Sequence, residues 1–272
     1  MRQNTMKAKL RSGQPALGVS IMIPCPQIIE MIGKLGFDWV MIDCEHGTLS
    51  LESVALMVMA AEASGIVPIV RPQTKDPDAI LRVLDLGALG VQVPHVNTAD
   101  DARRVVESVK YHPAGQRGLA LGTRASDYGL GVSTAEYVRQ ADDETLVCVQ
   151  LEEVEALRNL EAILQVQGVD VFFVGPSDLS QSMGYPGQAN APAVRSAINS
   201  AFATIRSAGR VPGSAGSADL IAEFLGEGCL YLYTHLPRLL AAGAERFMRT
   251  VKVGHQANPA PPAAAESPRS SV

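Results

Sequence analysis

"DWVMIDCEHGTLSLESVALMVMAAEASGIVPIVRP", residues 38–72, holds a strand, a helix and a second strand, with a polar cluster where the first strand stops. Val40, Met41 and Ile42 form a continuous apolar run, the pattern of a strand buried on both faces. Ser50 stands as N-cap to a helical pattern over 50–65 that closes on Gly65. "VPIV" (67–70) is the next strand, and Arg71 and Pro72 follow it. A strand, a helix and a strand in this order predict parallel pairing.

The same rhythm runs through the chain. Further strands are expected at "ALGVSIMI" (16–23), "GVQVP" (90–94), "LVCVQLE" (146–152), "VDVFFVG" (169–175), "VPGSA" (211–215) and "CLYLY" (229–233). Helical patterns lie between most of them, such as "DPDAILRVLDLGA" and "TADDARRVVESVKY", the latter with Thr98 as cap and acids in its first turn. Eight strands within about 250 residues favour an α/β closed (β/α)8 TIM-type barrel over an open doubly wound sheet. No GxGxxG follows the first strand, which removes the main support for a dinucleotide fold. One barrel domain over residues 1–255 is expected, then a Pro/Ala/Ser-rich disordered tail, 256–272. Residues 112–137 are glycine-rich and poorly periodic, an excursion of the length that usually serves function.

The chain has 272 residues, of which 47% are hydrophobic and 19% charged, enough apolar surface for a substantial core. Its net charge of −5 argues against nucleic-acid and anionic-membrane partners, which are bound by clustered Lys and Arg. Cys25, Cys44, Cys148 and Cys229 are widely spaced and follow no zinc-site pattern, as expected of reduced, buried thiols. The N-terminal stretch lacks an apolar signal core, and a cytoplasmic location is expected.

In parallel barrels, catalytic groups gather where strands end. Those positions hold Asp43, Glu45 and His46 after strand two, Arg71 after strand three and His95 near the end of strand four. Strand five ends in Gln150 and Glu152, strand six in Ser177 and Asp178, and strand eight near Thr234 and His235. Glu152 and Asp178, on neighbouring strands, suit a hard divalent cation, though solvated loop acids read equally well from composition. Arg71 is either a fork for a substrate carboxylate or an ion-pair partner of a neighbouring acid. His46 is open between base, ligand and surface histidine. Lys75, in the polar turn "RPQTKDPD", is a poor Schiff-base lysine, and no GxSxG elbow exists. "GSAGSAD" before a helix is either a phosphate cradle or a tight turn capped by Ser217.

Six segments in order, "GFDWVMIDCEHG", "VPIVRPQTKDP", "LDLGALGVQVPHVNTADDA", "YHPAGQRGLALGTRAS", "CVQLEEVEALRNL" and "VDVFFVGPSDLSQSMGYPG", resemble the metal-dependent class II pyruvate aldolases of the 4-hydroxy-2-oxoheptanedioate and 2-keto-3-deoxy-sugar-acid type. The resemblance covers about residues 8–250. It implies a divalent metal ion (Mg2+ or Mn2+, with Co2+ a further option) on Glu152 and Asp178, and His46 as base with Asp85 orienting it. It also implies Arg71 on the pyruvate end, and the backbone at Gly175 and Ser177 along the substrate carboxylate. The implied reaction cleaves or forms a 4-hydroxy-2-oxo acid, giving pyruvate and an aldehyde through a metal-stabilised enolate. Homo-oligomers, hexamers built as trimers of dimers, are implied as well, with segment 112–137 between subunits.

The chain departs from the family after strand eight, where "YLYTHLPRLLAAG" places His235 and Arg238. Two other readings stand beside the first. One is a different pyruvate-enolate lyase, such as an oxaloacetate decarboxylase or a citramalyl-type lyase. The other is a non-catalytic metabolite-binding barrel.

Overall fold

The computed structural model describes residues 2–257, in two units: a barrel ending at His235 and a single helix from Leu236. The expected domain, 1–255, spans both. In chain order the barrel unit comprises α1 (Thr5–Arg11), β1 (Ala16–Ile21), α2 (Pro26–Lys34), β2 (Trp39–Asp43), α3 (Leu51–Ala63), β3 (Val67–Arg71), α4 (Pro77–Asp85), β4 (Gly90–Val93) and α5 (Ala99–Val109). A short 3-10 turn, Arg124–Gly129, precedes α6 (Thr134–Glu144), β5 (Leu146–Leu151), α7 (Val154–Arg158), α8 (Leu160–Leu164), β6 (Val171–Val174) and α9 (Pro176–Ser182). The unit closes with α10 (Pro192–Ser207), β7 (Val211–Ala215), α11 (Ala218–Gly226) and β8 (Tyr231–His235). The separate helix is α12 (Leu236–Ala257). Of the tail expected to be disordered, residues 256 and 257 finish α12 and the rest lies outside the described residues.

The eight strands form a closed parallel barrel in sequence order, with β8 pairing back onto β1. All eight expected strands are present. β8 runs two residues further than its apolar run suggested and takes His235 into its end. Helix starts follow local chemistry. Ser50 accepts from the Ser53 N–H at the head of α3, and Thr98 and Asp101 close a reciprocal capping box on α5. In the "GSAGSAD" turn, Ser217 accepts from Leu220 N–H and caps α11.

Every second strand residue points inward. Trp39, Met41, Val67, Ile69, Leu146, Cys148, Val171, Phe173, Tyr231 and Tyr233 fill the lumen as one cluster. Trp39 lies 4.2 Å from Tyr231 between ring centroids, and Phe173 stacks on Tyr233 at 5.2 Å. Gly18 makes room for the indole: a Cβ there would sit 2.4 Å from Trp39. These rings form a floor under the mouth where the strands end.

At the other end, α1 covers the strand starts, a role its sequence did not announce. Met6 and Leu10 join the lumen cluster. Lys7 Nζ donates to Thr145 O at 3.0 Å and pairs with Asp170 at 3.0 Å. Among the described residues no helix is long and apolar enough to cross a membrane.

Candidate active site

Strand register builds the first half of the mouth. β2 and β3 pair with Asp43 opposite Arg71, so both side chains project inward side by side. Arg71 donates from Nε to Asp43 Oδ1 at 2.9 Å and from Nη2 to Oδ2 at 2.5 Å. Its Nη1 lies 3.1 Å from Glu45 Oε2. Both members of the fork are buried. Burial works against the guanidinium charge, but the hydrogen bond to Asp43 and the surrounding negative charge outweigh it and hold Arg71 firmly protonated. Asp43 Oδ1 also accepts from the N–H groups of Glu45 and His46, at 3.1 and 3.3 Å. One buried carboxylate therefore fixes the arginine and the turn that presents Glu45 and His46. Cys44 lies in the same turn, and burial, then Asp43, push its thiol up to about 11, so little thiolate forms near neutrality.

A chain of buried polar groups builds the second half. Tyr231 Oη donates to Gln92 Oε1 at 3.1 Å, and Gln92 Nε2 donates to Gln150 Oε1 at 2.5 Å. Gln150 Nε2 donates to Glu152 Oε2. The run has one direction, because an ionised carboxylate only accepts; its demand at Glu152 sets both amide orientations. Glu152 Oε1 accepts from the His95 N–H at 2.9 Å. Burial nevertheless pushes Glu152 up to about 7, against these two hydrogen bonds and nearby His95, with Asp178 adding to the rise. Asp178 thus acts on Glu152 through its field, from the exposed first turn of α9 beside Ser177. Gly175 keeps the space open: a Cβ there would lie 3.1 Å from Glu152 Cβ and 3.3 Å from Oε2.

His95 joins the two halves. Its Nε2 lies 3.2 Å from Glu45 Oε1, and its Nδ1 lies 3.3 Å from Glu152 Oε1 and 3.0 Å from Glu153 Oε1. Partial burial lowers the His95 pKa, but Glu152, Glu153 and Glu45 outweigh it and leave it raised. The backbone there is left-handed, with φ of 55°. Lys75 Nζ holds the His95 carbonyl at 3.1 Å while pairing with Asp101 at 2.7 Å. The sequence marked His95 only as a strand-end residue; its left-handed turn and three carboxylate neighbours come from distant segments.

The remaining expected residues are spread unevenly. His46 stands 54% exposed, with Nε2 3.9 Å from Glu45 Oε2. Asp85 is not beside it. As the last residue of α4, which leads to the start of β4, Asp85 sits toward the opposite rim, where Arg117 Nη2 donates to it at 3.1 Å. Of the ion-pair and substrate-fork readings of Arg71, the ion pair is present. His235 ends β8 with its ring 5.5 Å from Tyr233.

The donor set fits a divalent cation. Glu45, His95 and Glu152 each offer one ligand atom within 4.8 Å of the others, and the space beside Glu152 has no Cβ in it.

A closed parallel barrel carries its active site where the strands end, and here that mouth gathers carboxylates, imidazoles and a fixed guanidinium. The HpcH/HpaI aldolase/citrate lyase family model matches residues 22–229, and the chain belongs to that family. It is 37% identical over 244 residues to a 4-hydroxy-2-oxo-heptane-1,7-dioate aldolase of Shigella flexneri, covering 89% of this chain and 90% of that one. Among solved structures, an HpcH/HpaI aldolase/citrate lyase family protein from Burkholderia cenocepacia J2315 superposes with TM-score 0.86 at 27% identity, over 92% of this chain and all of that one. An HpcH/HpaI aldolase from Desulfitobacterium hafniense DCB-2 gives 0.83 at 29%, over 90% and 96%. The chain is a carbon–carbon lyase of the aldolase class.

Proposed function

We propose that the chain cleaves, and in reverse forms, a 4-hydroxy-2-oxo acid, with pyruvate and an aldehyde as products. The observation that carries this reading is Glu152. It is a buried carboxylate at a strand end, kept as an acceptor by Gln150 and the His95 N–H, and a buried Arg71 lies in the same mouth. Glu152 and Asp178 would hold a divalent cation, Mg2+ or Mn2+. When bound, it supplies positive charge to the oxygen on which the enolate develops.

Arg71 faces the pyruvate end, and its fixed charge favours an enolate over a ketone without reorganising, since Asp43 already holds its orientation. The backbone at Gly175 and Ser177 lines the substrate carboxylate. His46 takes the proton from the 4-hydroxyl; the C3–C4 bond breaks, the aldehyde carbonyl forms, and the electron pair passes into the enolate. Protonation at C3 then gives pyruvate. Exposure leaves His46 able to swing, and Glu45 lies near enough to orient it.

Asp85 completes the reading only from a second chain, because within one chain it lies toward the opposite rim beside Arg117. Exposed Leu119, Leu121, Tyr128, Leu130 and Val132, all in segment 112–137, supply apolar surface for a homo-oligomer, expected to be a hexamer. Four free cysteines, three of them buried, are in keeping with a cytoplasmic location.

The test is deuterium exchange at the pyruvate methyl group, followed by NMR with and without added Mn2+. Metal-dependent exchange together with aldol product from an aldehyde acceptor supports the reading. Exchange without any accepted aldehyde, alongside rapid oxaloacetate decarboxylation, replaces it with the decarboxylase. Absence of exchange removes enolate chemistry and leaves a binding protein.

A further inference from the structure

We propose that His95 is itself a ligand of the divalent cation, so that the site is a mixed nitrogen and oxygen set that favours transition ions over Mg2+. The inference rests on the reading that Glu152 holds a cation and extends it to a residue outside the Glu152–Asp178 pair.

The ring is placed as a metal-binding imidazole is placed. Nε2 lies 3.2 Å from Glu45 Oε1, so a carboxylate stands ready to take its N–H when Nδ1 is the ligand. That contact fixes the tautomer and strengthens the opposite nitrogen as a donor, the usual outer-sphere partner of a ligating histidine. Nδ1 faces two carboxylate oxygens, Glu152 Oε1 at 3.3 Å and Glu153 Oε1 at 3.0 Å. Between two negative oxygens this nitrogen binds a positive centre, either a proton or a cation that displaces it. Two ligands at right angles, each about 2.1 Å from one ion, stand about 3.0 Å apart, which the observed separations match.

The loop is built to keep the ring there. His95 adopts a left-handed backbone, which non-glycine residues seldom do. Its N–H is held by Glu152, and its carbonyl by Lys75, which is anchored on Asp101 and through it on the capping box of α5. Glu152 is therefore tied to the His95 main chain and faces the same imidazole. Nitrogen among oxygen donors changes selectivity in a known direction: imidazole suits Fe2+, Ni2+ and Zn2+, with Co2+ between Fe2+ and Ni2+ in the affinity order, whereas Mg2+ prefers oxygen throughout.

The experiment uses the full chain and His95→Asn, chosen because asparagine accepts a left-handed backbone and so preserves the turn. Calorimetric titration with Co2+ and with Mg2+ gives the ratio of affinities. The expected result is a loss of about ten- to a hundredfold for Co2+ in the variant, against a change within about threefold for Mg2+. Pulsed EPR of the Mn2+-loaded wild type should show a directly coordinated 14N that is absent from His95→Asn. An equal loss for both ions assigns His95 to positioning Glu152 and overturns the proposal, as does a nitrogen coupling that is missing from the wild type or persists in the variant. If neither ion binds the wild type, the metal reading of the site falls first. If both bind and the ratio is unchanged, the His95 proposal alone falls.

Discussion

Replacing Asp43 with asparagine removes the charge that balances Arg71 while leaving the shape of the strand end almost unchanged. The wild-type fork has two hydrogen bonds, at 2.9 and 2.5 Å, and both side chains are buried. Breaking such a pair strands a buried charge and costs about 3–5 kcal/mol. Glu45, 3.1 Å from Arg71 Nη1, remains as a partial partner and sets the expectation at the lower end, about 3 kcal/mol. For a domain of this size that lowers the melting temperature by roughly 6–12 °C. The assay is calorimetric melting in chelator, so that no cation contributes. The double variant Asp43→Asn with Arg71→Met removes the stranded charge while keeping an acceptor for the Glu45 and His46 N–H groups, and should recover to within about 1 kcal/mol of wild type, because a buried ion pair adds little over its neutral replacement. The same variant should not turn over, since the Arg71 charge is gone. An Asp43→Asn cost below about 1 kcal/mol would refute the argument that the fork is desolvated. An active double variant would show that Arg71 serves the fold alone.

Three further outcomes follow from the site. Gln150→Leu cuts the polar run at its last link and leaves Glu152 Oε2 without its donor; divalent-ion affinity should fall about ten- to a hundredfold by calorimetry, and the buried Gln92 donor left without Gln150 should cost about 1–3 kcal/mol of stability. Glu152 is pushed up to about 7, so a cation must displace its proton below that pH. Affinity should therefore weaken about tenfold per unit as pH falls beneath 7 and level off above it, and Glu152→Gln should lose this dependence. If Asp85 acts from a neighbouring subunit, mixed oligomers of inactive Asp85→Asn and inactive His46→Gln chains should regain activity on co-refolding; no regain places Asp85 outside the site.

Much of this was legible in the strands. Apolar runs marked most of the eight, and the rule that strand ends face the mouth brought Asp43, Glu45, Arg71, His95, Gln150 and Glu152 to one rim. Period and register then explain why Asp43 meets Arg71, since the two residues pair across β2 and β3. What stayed hidden depends on contacts that no local pattern encodes. The run from Tyr231 through Gln92 to Gln150 joins three strands over 139 residues of sequence separation between its first two members. The turn at His95 is held by Lys75 and Glu152 from separate loops. α1 escaped notice because it is short and buries Met6 and Leu10 against strand starts that come later in the chain. Asp85 matched its motif, yet its place in the fold comes from the direction of α4, and Arg117 claims it there.

Anomalous diffraction from crystals soaked with Mn2+ and pyruvate locates the ion itself. One strong peak per chain is expected within coordinating distance, about 2.2 Å, of carboxylate oxygens of both Glu152 and Asp178. A peak elsewhere, or none at an occupancy the soak should reach, removes Glu152 and Asp178 as the metal-binding pair.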